Sequence, residues 1–191
     1  MYMLKGTPII YNGEEIGMQN YNFKSIEDFN DVNAKMLFEN SKNKKKEFKK
    51  LKENSRDNSR TVMQWNTQSH AGFSTVKPWN YVNDNYKVCN VENSQKDKNS
   101  VLNNYKEILK LRSRFSAYLV NAKYKFFNKL GLVGYIINCK DFKLKVVANF
   151  SNFTRKLRLR NVSILYSNFS DKETLKKYQV SIFLIKNKPA K

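Results

Sequence analysis

The hydrophobic pattern of this chain changes its period near residue 115, and that change is the strongest constraint on its fold. Residues 100–114 carry apolar side chains at helical spacing, which predicts an amphipathic helix with Ser100 as its N-cap. Short β-type runs follow at 124–127, 132–138, 144–150, 156–160, 162–166 and 179–185, and turn residues separate several of them. Six such runs predict a small antiparallel β-sandwich after the helix.

The region before that helix has a different pattern. Residues 7–11 are a short apolar run behind Gly-Thr-Pro, which predicts a strand buried in a parallel sheet, followed by a loop at 13–17. Residues 25–54 are typical of helices, with one helix expected over 28–38 and with Phe48 and Leu51 on one face of the next. The lysine run at 42–52 is typical of a solvated helix surface, and a local phosphate or nucleic-acid patch is the alternative.

The net charge of this 191-residue chain is strongly positive, with 36 Lys and Arg against 16 Asp and Glu. Such a charge is the usual electrostatic signature of nucleic-acid binding. However, the lysines are spread along the chain, and Asn, Ile, Phe and Tyr are also abundant, as an AT-rich genome would encode. We therefore attribute the charge mainly to composition and expect no nucleic-acid partner. A basic module that binds nucleic acid or another polyanion is the alternative from a different class.

Cysteine content and hydropathy exclude other classes. Cys89 and Cys139 lack the spacing of a zinc site, and they give no disulfide framework. There is no apolar run approaching the roughly 18 residues of a membrane span, and the first residues lack the features of a signal peptide. We expect a cytoplasmic protein without a metal, a cofactor or a membrane partner.

One short segment concentrates groups suited to a binding site. It begins Ser55-Arg56-Asp57-Asn58-Ser59-Arg60-Thr61 and continues to Trp65, and Phe73 and Trp79 follow it. Arginines four apart beside Asp and Asn can form a ring of charge-assisted donors and acceptors that grips a polyhydroxylated ligand. Trp and Phe provide flat faces for a sugar ring. The alternative is an Arg–Asp network that only ties a loop to the domain body.

This segment resembles a signature of the α-glucosidase branch of glycoside hydrolase family 13, the α-amylase family. The resemblance rests on Arg-Asp-Asn-Ser-Arg-Thr-x-Met-Gln-Trp at 56–65, on Ala-Gly-Phe at 71–73 and on Pro-Trp at 78–79. Residues 4–18 resemble the strand and loop that close the family's (β/α)8 barrel, and matches continue in order through 83–92 and 100–112. The branch includes trehalose-6-phosphate hydrolases, oligo-1,6-glucosidases and dextran glucosidases. Ser55 and Ser59 resemble the trehalose-6-phosphate hydrolases slightly better, since oligo-1,6-glucosidases more often have Gly or Ala at these positions.

The resemblance implies a C-terminal fragment of a retaining α-glucosidase that acts on trehalose 6-phosphate or isomalto-oligosaccharides. Residues 1–114 would be the last strand, loops and helices of the barrel, 115–187 the antiparallel β domain, and 188–191 a basic tail. The family's nucleophilic Asp, acid/base Glu and stabilising Asp lie upstream of the segment that residues 4–18 resemble. We therefore expect this chain to contain no catalytic residue and to be inactive on its own. Such a fragment would arise from a truncation, a frameshift, a mis-predicted start or a gene remnant. In the full-length enzyme its partner would be an α-glucoside substrate, and the fragment itself would pair with the missing N-terminal part.

The resemblance also implies roles for individual residues. Arg56 would contact the non-reducing-end glucose. The resemblance places Glu14, the first acidic residue of its loop, near the catalytic cleft. We expect Glu14 and Glu15 instead to hold the loop, for example by pairing with Arg56 or Arg60. Asn33 stands where the family has a Glu that shapes the leaving-group subsite, which puts that subsite's specificity in doubt. The other supporting residues expected from the signature are Asp57, Asn58 and Arg60.

Overall fold

The computed structural model describes residues 1–157, 162–169 and 174–186. The chain divides into two compact units, one made of residues 1–9 and 104–191 and the other of residues 10–103. The predicted run at 156–160 lies partly outside the described residues, and the predicted basic tail at 188–191 lies wholly outside them.

The unit of residues 10–103 consists of short helices joined by irregular chain. The α-helices are α1 (Val32–Asn40), α2 (Lys44–Asn54) and α3 (Val91–Lys96). Four 3₁₀ turns accompany them, at Glu14–Ile16, Arg56–Arg60, Ser69–Gly72 and Asp84–Lys87. Its core is aromatic, and Phe48 and Leu51 of α2 both pack there with Phe23 and Phe29, as their spacing predicted.

Two expectations for the N-terminal region are wrong. Residues 7–11 form no strand, and Ile9 is 81% exposed, because no strand among the described residues lies beside this segment to bond with its backbone. The first helix begins at Val32, and not at residue 28, because Asp31 accepts a hydrogen bond from Asn33 N and so caps α1. Asp28 instead accepts hydrogen bonds from the backbone of Lys24 and Ser25.

Helix α4 (Val101–Asn121) continues well past the expected end at residue 114. Ser100 caps it as predicted, since its hydroxyl accepts a hydrogen bond from Asn103 N at 3.2 Å. The extra turns occur because Phe115 and Leu119 extend the apolar face that packs into the core of the unit of residues 1–9 and 104–191. The domain boundary expected at 114–115 therefore falls inside a helix, whereas the compact units divide at residues 103–104.

The unit that contains most of α4 is built on an antiparallel sheet of five strands, β1 (Lys123–Lys129), β2 (Leu132–Asn138), β3 (Phe142–Asn149), β5 (Val162–Ser167) and β7 (Val180–Lys186). Their order in the sheet is β1-β2-β3-β7-β5. Two short strands, β4 (Arg155–Lys156) and β6 (Thr174–Leu175), pair as a second sheet. The antiparallel β domain is thus confirmed.

Both faces of the five-stranded sheet are covered within this unit. On one face Phe115 and Leu119 of α4 pack with Ile137, Leu144 and Ile182. On the other face Leu175 of β6 packs against Val147 and Phe183. The result is a layered β domain, because alternate strand residues point into two separate apolar clusters.

Candidate active site

The segment Arg56–Arg60 folds as a 3₁₀ turn around a buried carboxylate. The Ser55 hydroxyl accepts a hydrogen bond from Asp57 N at 3.2 Å and caps the turn. Asp57 is 2% exposed, and its Oδ2 accepts hydrogen bonds from the backbone N–H groups of Asn30 and Asp31, both at 2.9 Å. Its Oδ1 lies 3.8 Å from Arg60 Nη1. Asp57 therefore fixes the chain at residues 30–31 against the turn.

Arg56 forms a bidentate ion pair with Asp31. Its Nε and Nη2 donate to the two carboxylate oxygens at 2.9 and 2.7 Å. This hydrogen bonding holds the pKa of Asp31 below its ordinary value and raises the pKa of Arg56. The Asp31 carboxylate is almost fully buried, whereas the Arg56 side chain is 55% exposed. The pair anchors the guanidinium at one edge and leaves the rest of it facing solvent.

Arg56 lines two clefts. A cleft of about 500 Å³ has Tyr11, Glu14, Asn58 and Ser59 in its wall, together with Arg56 itself. The Tyr11 hydroxyl donates to Ser59 O at 2.9 Å, which joins the loop after residue 10 to the 3₁₀ turn. A smaller cleft of about 300 Å³ also has Arg56 in its wall. The wall of the first cleft combines a cation, amides and a carboxylate, which are the groups that bind sugar hydroxyls.

The other residues singled out in the sequence lie as follows. Asn58 accepts from Tyr21 N and donates to Lys52 O, so it ties the turn to its surroundings. Glu14 lines the larger cleft and accepts from Tyr11 N, while Glu15 accepts from Gly13 N. The ion pairs of the arginines among the described residues go to Asp31 and Asp57, so the suggested pairing with Glu15 is not found. Exposed Asn33 lines the smaller cleft.

The aromatic residues expected to stack on a sugar do not line the cleft of about 500 Å³. Trp65 and Phe73 are half-exposed, and Trp79 is 82% exposed. They flank a left-handed turn in which His70, Ala71 and Gly72 all have positive φ. Ala71 O accepts hydrogen bonds from Trp65 N and Asn66 N, which hold this turn in place. The sugar-stacking hypothesis therefore gains no geometric support at this cleft.

The two serines that favoured one substrate have local backbone roles. Ser55 is buried and caps the 3₁₀ turn, and the Ser59 hydroxyl donates to Arg56 O at 2.8 Å. Their hydroxyls stabilise the turn itself, so they carry no direct information about the substrate.

Sequence reasoning missed two residues of this site. Asp31 was given no role, although its carboxylate holds Arg56, and Tyr11 was placed in a strand. The Asp31–Arg56 contact joins residues 25 positions apart, and no local pattern reports such a contact. Within the described residues, no cluster of His, Cys, Asp and Glu could hold a metal ion. No described helix is long and apolar enough to cross a membrane.

Comparison with known proteins identifies the family. A family model described as the catalytic domain of alpha-amylase matches residues 1–121, and the chain belongs to this family. It is 33% identical to the oligo-1,6-glucosidase of Bacillus cereus, over 97% of this chain and 37% of that protein. It is 44% identical to a probable oligo-1,6-glucosidase 3 of Bacillus subtilis (strain 168), over 65% of this chain and 23% of that protein.

Solved structures agree with this assignment. The crystal structure of a trehalose-6-phosphate hydrolase from Bacillus licheniformis superimposes with a TM-score of 0.87 at 33% identity, over 97% of this chain and 37% of that one. The fold class is accordingly that of an alpha-amylase-family enzyme at the end of its (β/α)8 barrel, followed by the antiparallel β domain. The chain spans between 23% and 37% of the length of these three relatives.

Proposed function

We propose that these residues are part of an α-glucosidase and that they supply an arginine that binds the substrate. The observation that supports the proposal is the Arg56–Asp31 pair, which presents a half-exposed guanidinium on the wall of a cleft of about 500 Å³. A guanidinium fixed on one edge by a buried carboxylate is preorganised to donate to sugar hydroxyls from its other edge. Asp57, Asn58 and Arg60 would hold this arginine in place, and Glu14 and Glu15 would hold the loop beside it.

The chemistry would follow the retaining mechanism, in which two carboxylates roughly 5–5.5 Å apart act as nucleophile and acid/base. By family resemblance these carboxylates belong to barrel strands other than the segment that residues 4–18 resemble. Residues 1–191 alone are then expected to show no hydrolysis of p-nitrophenyl α-glucoside or of trehalose 6-phosphate. The proposed partners are an α-glucoside and the barrel strands that carry the carboxylates. In this proposal residues 1–114 belong to the barrel and 115–187 to the C-terminal domain, and Asn33 lies at the leaving-group subsite.

The substrate is proposed as a class, namely α-glucosides. The relatives include proteins named oligo-1,6-glucosidase and proteins named trehalose-6-phosphate hydrolase. Ser55 and Ser59 serve the backbone and so favour neither. We also propose a cytoplasmic location, which the two free thiols of Cys89 and Cys139 support.

The test is a hybrid enzyme in which residues 1–191 replace the matching part of the Bacillus cereus oligo-1,6-glucosidase. We expect the hybrid to hydrolyse p-nitrophenyl α-glucoside, and its activity on isomaltose and on trehalose 6-phosphate would separate the two substrate classes. In this hybrid, Arg56→Ala should lower kcat/KM by more than about tenfold, because a charged contact with the sugar is lost. Its melting temperature should change little, because this side chain is mostly exposed.

The matched control is Arg60→Ala, which removes an arginine from the same 3₁₀ turn. Arg60 faces buried Asp57, so its loss should lower the melting temperature more than Arg56→Ala does and reduce turnover less. If Arg56→Ala left kcat/KM unchanged and lowered only the melting temperature, Arg56 would be a structural residue and the proposal would fail.

A further inference from the structure

One end of the five-stranded sheet carries four exposed apolar side chains on its turns. They are Leu130, Phe150, Phe153 and Tyr178, each between 60% and 70% exposed, and together they are called the turn cluster here. Register places them at the same end, since Leu132 pairs with Asn149 and Ala148 pairs with Val180. The rings of Phe150 and Tyr178 are 6.5 Å apart.

The turns that present this cluster are held by one buried amide. Asn149 is fully buried, and its side chain donates to Phe153 O and Leu175 O, both at 2.8 Å, and accepts from Ser151. Its backbone O accepts from Tyr178 N at 2.7 Å, and Phe150 N donates to Gly131 O at 2.8 Å. The turns are therefore rigidly connected while their apolar side chains face water.

Backbone strain points to the same end. Leu130 and Tyr178 have φ of 54° and 61°, a left-handed conformation that is costly for any residue with a Cβ. Glycine would adopt this conformation without strain. Bulky apolar residues thus stand where the fold alone favours glycine, and the hydrophobic effect gives them no reason to be exposed.

Cations accompany the turn cluster. Lys177 Nζ lies 4.9 Å from the Tyr178 ring centre, and Arg155 Cζ lies 5.7 Å from the Phe153 ring centre. Lys129 immediately precedes Leu130. Each of these three turns therefore combines an exposed apolar group with a neighbouring cation.

The charge of the chain is also divided unequally between the two units. Residues 10–103 contain 15 basic and 12 acidic residues, whereas residues 1–9 and 104–191 contain 21 basic and 4 acidic residues. A compositional bias toward lysine acts on both units alike, but acidic residues are depleted in the unit that carries the β domain. A bias toward lysine alone therefore does not account for this asymmetry, and the excess positive charge of this unit is complementary to an anionic surface.

We propose that the turn cluster is a docking surface for an anionic lipid bilayer. Apolar and aromatic turn tips insert into the headgroup region, where the ring of tyrosine is favoured, and the adjacent cations attract anionic lipids. Single-stranded nucleic acid also binds cationic aromatic surfaces, but it uses flat rings for stacking, and the aliphatic Leu130 offers none. The expectation of no membrane partner rested on the lack of a spanning segment, which does not bear on surface binding.

The experiment is co-sedimentation of the full chain with vesicles. We expect binding to phosphatidylcholine vesicles that contain phosphatidylglycerol, and much weaker binding to phosphatidylcholine alone. The double variant Leu130→Gly/Tyr178→Gly should weaken binding by at least roughly tenfold, because two apolar side chains no longer insert. Since glycine suits both φ values, the variant should fold at least as stably as the parent, which circular dichroism and thermal melting would check.

Charge variants separate docking from general attraction. Lys129→Gln/Lys177→Gln should weaken binding about fivefold for each lysine, the factor that corresponds to ~1 kcal/mol near the surface. The control Lys123→Gln/Lys143→Gln changes the same charge at the opposite end of the sheet and should alter binding less than about twofold.

Three results would overturn the proposal. The first is that the two double lysine variants lose vesicle binding equally. The second is that the double glycine variant binds vesicles as well as the parent. Either result would mean that vesicles are attracted by the overall positive charge and do not dock on the turn cluster. The third is absence of vesicle binding while an oligo-dT strand binds and is lost in the glycine variant, which would assign the surface to nucleic acid.

Discussion

Replacing Asp57 tests how the candidate site is held together. The buried carboxylate accepts backbone hydrogen bonds from Asn30 and Asp31 and faces Arg60 at 3.8 Å. A hydrogen bond to a charged group contributes ~1.5–3 kcal/mol, so losing two of them in Asp57→Ala should lower the free energy of unfolding by ~3 kcal/mol or more. Asp57→Asn keeps an oxygen that can accept both bonds, so its cost should be about half as large.

Urea unfolding of the full chain measures this effect. Both tryptophans, Trp65 and Trp79, lie in the unit of residues 10–103, so their fluorescence follows the unit that contains Asp57. The control is Asp84→Ala, which removes an exposed carboxylate from another 3₁₀ turn of the same unit and should cost less than about 0.5 kcal/mol. If Asp57→Ala were as mild as the control, Asp57 would not organise the turn, and its supporting role would be refuted.

Three further predictions concern pH and domain structure. Hydrogen bonding to Arg56 lowers the folded-state pKa of Asp31, so the contribution of Asp31 to stability is complete above its ordinary pKa and is lost as pH falls through the lowered value. The variant Asp31→Asn should therefore lose less stability than the parent as pH falls through this range. An unchanged loss of stability at acid pH would contradict the assignment. Burial raises the pKa of Tyr166 to about 12, so its stabilisation is lost as pH rises from about 10 toward 12, and Tyr166→Phe should reduce that alkaline loss. Trypsin should cut at exposed Lys96 or Lys98, between α3 and α4, and release a fragment that starts there, whereas a fragment that starts near residue 115 would support the boundary expected from the sequence.

The β domain could be predicted because its signals are local. Strand β2 has the expected bounds, 132–138, since apolar residues run without a break from the turn at Gly131 to the polar Asn138. Strand β6 was missed because two residues are too few to show a period. The strand expected at residues 7–11 failed for the opposite reason, since an apolar run becomes a strand only where neighbouring strands accept its hydrogen bonds.

The candidate site was predictable only within one turn of the chain. Arg56 and Asp57 are adjacent in sequence, yet the structure turns them in different directions, one toward a cleft and one into the interior. The partner of Arg56 comes from the cap of α1, and the partners of Asp57 are backbone groups beside that cap. Neither contact can be predicted from local propensity or from a motif, because both depend on how α1 packs beside the turn.

These contacts form a chain of support in which two carboxylates position one arginine. Asp57 binds the backbone of Asp31, and Asp31 both caps α1 and holds two nitrogens of Arg56. Movement of the backbone at Asp31 would therefore shift the guanidinium, although Asp57 itself does not touch it. In the hybrid enzyme, Asp57→Ala should accordingly reduce kcat/KM even at temperatures where the protein stays folded. Because the two effects act through one arginine, combining Asp57→Ala with Arg56→Ala should reduce kcat/KM no further than Arg56→Ala alone. If the loss of kcat/KM in the double variant equalled the product of the two single-variant losses, Asp57 would act on the substrate site by another route.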